Sequence, residues 1–335
     1  MTKVFLTGAS GFIGAHILND LLNHGHTVVV AVRSATRGQQ ILNRHDRDAA
    51  NKRVSFVVVE DFVKQGAFNH VLQTNAPFDA VIHTASPYFY NPYDPENEIL
   101  RPAVQGTIGI LRSVTEYAPT VKRLVITSSF AAMINFNRHP ATYSESVWNP
   151  MTYEDALRPS VTYPASKKLA EEAAWDFMEK EKPHFSLTTF CPPLVFGPVI
   201  HHLESLRDIN TSNTRIRDFI QGKYKDAIPP SNLYLWVDVR DLAHAHIRAL
   251  TATGAENERF FVTAGHYDNK QIVDIIREEY PHLSEVFPPK DLSGDLPKDV
   301  YQYDNSKSVN VLGLTYRTLR ESVRDTVASL LKIKE

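Results

Sequence analysis

Cysteine is almost missing from this chain. Cys191 is the only one in 335 residues, which excludes an internal disulfide and every zinc site built from several thiolates. An excess of one charge is missing too: 36 Lys and Arg against 38 Asp and Glu leave a formal net charge of −2. A general nucleic-acid binder would need a basic surface. No apolar run approaches the roughly 18–20 residues that a membrane helix requires. The first residues lack the charged, apolar and small-residue order of a signal peptide, and the last carry no prenylation or retention signal. Internal repeats and low-complexity segments are absent. A cytoplasmic chain is therefore expected, with neither nucleic acid nor membrane as a partner. Its length allows two domains and a sizeable core.

What is present begins at Thr7-Gly8-Ala9-Ser10-Gly11-Phe12-Ile13-Gly14. An apolar run, Val4-Phe5-Leu6, precedes it, and an amphipathic segment from Ile17 to Leu22 follows. Strand, glycine turn and helix in that order form a seat for pyrophosphate, because a helix N-terminus offers unpaired N–H groups and partial positive charge. The spacing is G-x-x-G-x-x-G rather than the commoner G-x-G-x-x-G. Three glycines alone would also suit a plain tight βα turn.

Apolar, β-branched strands follow at 27–32, 54–59, 79–83, 122–127 and 185–190, separated by helical patterns at 36–50, 64–74 and 98–117. Such alternation predicts an α/β fold, a Rossmann-type doubly wound parallel sheet covered on both faces. After Pro198 the alternation breaks. Helices are predicted near 213–222, 242–250, 269–280 and 317–332, with a short strand at 260–262. The expected division is a dinucleotide-binding domain of residues 1–192 and 233–264, with a smaller substrate-binding lobe of 193–232 and 265–335. The 233–264 stretch is expected to return to the main sheet.

In doubly wound sheets, ligands sit beyond the carboxyl ends of the strands. The second strand's exit, Ala31-Val32-Arg33-Ser34-Ala35-Thr36-Arg37, lacks the carboxylate that would accept from the ribose hydroxyls of NAD. Arg33 and Arg37 instead suit a 2′-phosphate, which favours NADPH, although solvated loop arginines would read the same way. Asp61, after the third strand, can accept from an adenine amino group or cap a helix. His83-Thr84-Ala85-Ser86-Pro87 places small residues beside the expected dinucleotide, with His83 read as a buried, hydrogen-bonded side chain.

The fifth strand ends Ile126-Thr127-Ser128-Ser129, and Tyr163-Pro164-Ala165-Ser166-Lys167 later opens a helix. Tyr163 and Lys167 then share one face, a single turn apart. A phenol is a poor proton donor at neutral pH unless its anion is stabilised, which a nearby ammonium does. A serine hydroxyl at the sheet edge can bond the same substrate oxygen. The loop Cys191-Pro192-Pro193-Leu194-Val195-Phe196-Gly197-Pro198 could wall a nicotinamide ring. His201-His202 and His244/His246 are read as ordinary histidines, since residues two apart on a helix do not face one another. No metal site is expected.

Taken together, TGASGFIG, VRSATR, HTASP, VITSSFAA, ESVWNP, YPASKKLAEEAAW, PPLVFGP and VDVRDLAHAH resemble the extended short-chain dehydrogenase/reductases nearly end to end. Within that family the chain is similar to dihydroflavonol-reductase-like enzymes, above all the fungal NADPH-dependent methylglyoxal and 3-methylbutanal reductases. The resemblance implies an aldehyde or ketone reductase using NADPH, with Ser129, Tyr163 and Lys167 as catalytic residues and Ser128 in reserve. It also implies that Gly8, Ser10, Gly11, Phe12, Ile13 and Gly14 seat the pyrophosphate, Arg33 and Arg37 the 2′-phosphate, and Asp61 the adenine. Thr84, Ala85 and Ser86 would line the dinucleotide. Lys167 would hold the nicotinamide ribose, and Pro192, Leu194 and Val195 would flank the ring. Tyr88, Phe130, Met133 and Leu194 are candidate pocket liners by position. Val161-Thr162-Tyr163-Pro164-Ala165 stands where cinnamoyl-CoA reductases carry Asn-Trp-Tyr-Cys-Tyr, which counts against a CoA thioester. Ala103-Val104-Gln105-Gly106-Thr107 departs from the Asn-Val-x-Gly-Thr of sugar-nucleotide epimerases. An epimerase or dehydratase, or a non-catalytic NADP-sensing protein, are the alternative readings. A monomer or homodimer is expected.

Overall fold

A computed structural model describes residues 2–86 and 92–333. Seven parallel strands form the central sheet: β1 (Lys3–Thr7), β2 (Thr27–Val32), β3 (Val54–Val58), β4 (Ala80–His83), β5 (Arg123–Thr127), β7 (Ser186–Cys191) and β10 (Glu258–Phe261). Their order is β10-β7-β5-β4-β1-β2-β3. The direction of winding reverses between β1 and β4, the switch point where doubly wound sheets bind ligands. The predicted fold class is the one observed.

Alternation along each strand divides the interior. Val4, Leu6, Val28, Val30, Ile82, Val125 and Phe260 face one side, under α1 (Phe12–Asn23) and α9 (Val239–Ala249). Phe5, Val29, Val81, Leu124 and Leu187 face the other. Helices α4 (Asn69–Thr74), α5 (Arg101–Tyr117) and α7 (Thr162–Glu181) cover that second side.

Several predicted elements are shorter or broken. The helix expected over 36–50 is two, α2 (Ala35–Arg44) and α3 (Asp46–Ala50), because His45 leaves helical geometry at φ −114°, ψ 46°. The helix expected from residue 64 begins only at Asn69, after Gly66 at φ +71°. Of the stretch 233–264, β10 joins the main sheet. The strand β9 (Leu235–Asp238) instead pairs with β8 (Leu194–Phe196) and β11 (Gly265–His266) in a separate small sheet. Strands β6 (Thr142–Tyr143) and β12 (Gln302–Tyr303) pair as a two-residue bridge, and α6 (Tyr153–Ala156) precedes α7.

Helices α8 (Thr211–Ile220), α10 (Asn269–Glu279) and α12 (Leu319–Leu330) surround a further core of Phe196, Ile216, Phe219, Trp236, Ile272, Val323 and Val327. Helix α11 (Ser306–Leu312) runs back to the main body and ends on Gly313 at φ +68°. Among the described residues no helix is long and apolar enough to cross a membrane.

Candidate active site

The glycine turn joins β1 to α1, and its three glycines have different reasons to be glycine. Gly8 sits at φ +79°, and a Cβ there would lie 2.1 Å from Thr84 Oγ1 and 2.9 Å from the Ala85 nitrogen. The exits of β1 and β4 can approach only without that carbon. A Cβ on Gly14 would meet the Gly8 carbonyl oxygen at 2.1 Å, so Gly14 lets the helix pack onto its own turn. Gly11 is exposed, takes an ordinary extended conformation as N-cap of α1, and would meet nothing nearer than the Gly8 oxygen at 3.4 Å. Protein sterics do not demand glycine there. A ligand approaching the N-terminus of α1 would.

Thr7 ties the two strand exits together. Its hydroxyl meets His83 Nδ1 at 2.9 Å and accepts from the Thr84 and Ala85 nitrogens, each at 3.2 Å. Thr84 Oγ1 donates back to the Thr7 carbonyl at 2.9 Å. Burial, aided by the Lys167 charge, pushes the His83 imidazole down to about 3, so it stays neutral. That agrees with its reading as a buried, bonded side chain. Tyr88 lies outside the described residues.

On α7, Tyr163 and Lys167 are one turn apart on the same face, both half-buried. Lys167 Nζ donates to the carbonyl of Thr127, the last residue of β5, at 3.2 Å. The ammonium is thereby held beside the serine exit. Burial lowers the Lys167 pKa, with Glu171 and then Cys191 pulling the other way. The two serines are used differently. Ser128 is buried and donates to Glu171 Oε2 at 2.6 Å. Ser129 caps the short turn Phe130–Ala132, accepting from the Ala131 nitrogen at 3.1 Å, and stays half-buried. Helix α7 packs on that turn.

One group in the floor of the site went unmarked in the sequence. Glu171, one turn beyond Lys167, is buried and accepts from Arg259 at 2.9 and 3.1 Å and from Thr189 Oγ1 at 2.7 Å, besides Ser128. Arg259, on β10, also donates to the carbonyls of Glu145 at 2.8 Å and Val147 at 2.7 Å, and stacks on Trp148 at 3.8 Å. Burial alone would raise the Glu171 pKa. The Arg259 charge, with bonds from Arg259, Ser128 and Thr189, outweighs it and holds the carboxyl below its usual range. Cys191 lies against the same carboxylate, and burial pushes its thiol up to about 12, so it is an inert side chain. A cavity of about 20 Å³, room for one water, lies between His83, Ser86, Ser128, Lys167 and Glu171.

At the far end, Arg33 and Arg37 are exposed at the exit of β2, with Ser34 between them capping α2. The Arg33 guanidinium sits 5.3 Å from the Phe62 ring. Asp61 is exposed and accepts from the Val63 nitrogen at 2.9 Å, which occupies one of its two oxygens. Ser10 and Ile13 are half-buried on the glycine turn, and Phe12 is packed into the sheet core. Pro192 is buried, and its carbonyl accepts from the Phe130 nitrogen at 2.8 Å. Leu194 and Val195 lie on β8, the first half-buried and the second buried.

Phe130 and Met133 are fully enclosed in a cluster with Tyr143, Phe261 and Tyr301, where Phe130 stacks on Phe261 at 5.3 Å. Their side chains are taken up by core packing. His246 is likewise structural, bonded to Thr127 Oγ1 and to the Leu242 carbonyl, each at 2.8 Å.

Three comparisons bear on this site. The NAD dependent epimerase/dehydratase family matches residues 4–263. The ketoreductase azaE of Aspergillus niger is 48% identical over 331 residues, covering 98% of each chain. Two NADPH complexes superimpose closely. Yeast methylglyoxal/isovaleraldehyde reductase Gre2 does so with a TM-score of 0.90 at 34% identity over 98% of both chains. Gre2 of Candida albicans does so with 0.91 at 36% identity over 99% of both.

Proposed function

The chain belongs to the NAD dependent epimerase/dehydratase family, among the extended short-chain dehydrogenase/reductases, and on that premise we propose that it is an NADPH-dependent carbonyl reductase converting aldehydes or ketones to alcohols. The observation that carries this reading is the Tyr163–Lys167 face of α7, anchored to the end of β5 beside Ser129. That arrangement is joined to near full-length similarity with an azaE ketoreductase and with NADPH-bound Gre2.

The residues present fit a dinucleotide. Gly11 is open where a pyrophosphate would meet the N-terminus of α1. Arg33 and Arg37 offer guanidinium groups and no carboxylate at the 2′-position. Lys167 would hold the nicotinamide ribose, while Asp61 would use its second oxygen for adenine. Bound there, NADPH supplies a hydride to the carbonyl carbon. Tyr163 delivers a proton to the carbonyl oxygen, so that the C=O bond becomes C–H and O–H, and solvent reprotonates the tyrosine. The Lys167 ammonium favours the tyrosinate left behind by placing positive charge one helical turn away. Ser129 donates to the same oxygen and fixes its direction. Ser128 is committed to Glu171 and serves the floor. Tyr88 and Leu194 are assigned to the substrate side. The domain division follows the same logic: the seven-stranded sheet binds the dinucleotide, and the α8, α10 and α12 lobe covers the substrate. A monomer or homodimer is compatible with a site drawn from one chain.

Tyr163→Phe tests the mechanism. Turnover should fall by about 10²–10⁴-fold, the range for a positioned proton donor, while NADPH binding measured by fluorescence is nearly kept. Unchanged turnover would remove Tyr163 from the mechanism. NADPH and NADH oxidation against a panel of aldehydes, diketones and bulky ketones tests the activity itself, and no oxidation with any of them would overturn the reductase reading.

A further inference from the structure

We propose that Asp20, His24 and His244 form a binding site for one divalent transition ion of the zinc class, on the surface seam between α1 and α9. Asp20 and His24 are one turn apart at the C-terminal end of α1, and α9 packs along α1 and brings His244 to them. His24 Nδ1 lies 3.3 Å from Asp20 Oδ1, and His244 Nδ1 lies 3.2 Å from Asp20 Oδ2. One donor atom from each of the three lies within 4.8 Å of the others. An ion bound tetrahedrally at about 2.1 Å needs donors roughly 3.4 Å apart, so the three side chains already stand near coordinating separation.

The donor set, two imidazoles and one carboxylate, suits zinc and its neighbours rather than calcium or magnesium, which prefer all-oxygen cages. Two further features favour a cation here. The site sits at the carbonyl end of α1, where the helix dipole is negative. Asp20 and His244 also line an open cleft of about 410 Å³ shared with His16, Asn19 and Thr315, which leaves room for water as the fourth ligand. His24 Nδ1 now bonds the Asp20 carbonyl at 2.8 Å. Coordination moves the proton of His24 to Nε2 and frees the Nδ1 lone pair. The pairing is invisible in the sequence. His244 looks there like a partner for His246, whereas its neighbours lie on the first helix.

The ion would sit about 18 Å along the helix from the glycine turn, at 1.5 Å per residue over twelve residues. It therefore clamps α1 to α9 without touching the reacting groups. Untagged protein stripped with chelator is titrated with Zn²⁺ against a fluorescent chelator, with thermal unfolding followed in parallel. One equivalent should bind per chain and raise the unfolding midpoint. His244→Ala and Asp20→Asn should each weaken binding by about tenfold or more, since even outer-shell losses cost that much, and should abolish the thermal shift. Turnover of metal-free His244→Ala should be unchanged, and exposed His202→Ala should bind zinc like the parent. Absence of zinc binding in the parent, undiminished binding in either site variant, or uptake that occurs only as copies associate would each overturn the site.

Discussion

Beneath Lys167, Glu171 and Arg259 are enclosed in protein and every polar atom of the carboxylate is bonded, whereas Arg33 and Arg37, at the exit of β2, stand in solvent. The end proposed for the chemistry is prebuilt: Ser128, Thr189 and Arg259 hold the Glu171 carboxylate, and the Ala132, Glu145 and Val147 carbonyls hold Arg259. The end proposed for the adenosine is two long, exposed side chains, which a bound 2′-phosphate would fix in place. Catalysis needs groups held within a fraction of an ångström before substrate arrives. Binding a 2′-phosphate needs only charge within reach. The difference predicts that damage at the floor is paid in stability and damage at the rim in cofactor choice.

The floor should show the largest effect. Glu171→Ala leaves Arg259 charged in the interior without its carboxylate, held by carbonyls and the Trp148 ring, and breaking a buried pair in this way costs about 3–5 kcal/mol. Chemical denaturation of Glu171→Ala, Arg259→Met and the double variant should give singles that sum to more than the double. Strict additivity would show that the two do not act as a unit. The pH dependence has a definite sign. The Glu171 carboxyl is held below its usual range in the folded chain, so its contribution is complete above the unfolded value of about 4.3 and is lost as pH falls through the folded one. Glu171→Gln has no such contribution to lose. The stability gap between it and the parent should therefore narrow below about pH 4.3, and a gap that widens in acid would contradict the pairing.

That floor is also where sequence reasoning fell short, for identifiable reasons. Strand exits are legible because continuous apolar runs mark parallel strands and small or polar residues mark their ends, which locates Thr7, His83 and Thr127, while Tyr163 is legible from its i, i+4 spacing to Lys167 at the start of a helix. Glu171 carried a weaker signal: it continues the i, i+4 line of Tyr163 and Lys167, and a third polar residue on a face turned to the sheet should be buried with a partner. Arg259 carried none, since pairing across 88 positions depends on β10 docking beside β7. Strand β8 is not legible because three residues after two prolines do not make a periodic pattern, and without it β9 reads as part of the main sheet. Phe130 and Met133, placed by position near the pocket, prove to pack against β10 and the 300–303 stretch.

Within the glycine turn the same contrast recurs on a smaller scale. Gly14→Ala drives a Cβ into the Gly8 backbone and should destabilise the fold by about 1–3 kcal/mol, the usual cost of overpacking. Gly11→Ala meets no such obstacle and should cost less stability, about 0.5–1 kcal/mol for the poorer N-cap, while weakening NADPH binding about tenfold or more as the methyl intrudes on the proposed pyrophosphate seat. Calorimetry on the two variants separates the effects. Equal loss of stability in both would remove the argument that Gly11 is kept open for a ligand.

The smallest effect belongs to the exposed rim. Arg33→Ala removes the charge-assisted bond proposed for the 2′-phosphate, worth about 1.5–3 kcal/mol when well formed and less at a solvated position. The preference for NADPH over NADH should then drop by roughly tenfold, with folding stability nearly untouched because Arg33 is exposed beside the Phe62 face. Salt sharpens the test. The parent's preference should shrink as ionic strength rises and the Debye length contracts from about 10 Å at 0.1 M to about 3 Å at 1 M. The Arg33→Ala chain should respond less, having lost one of the two charges that salt can screen. Equal losses of NADPH and NADH affinity in the variant would mean that Arg33 supports the adenosine as a whole, and the choice of cofactor would then rest on Arg37.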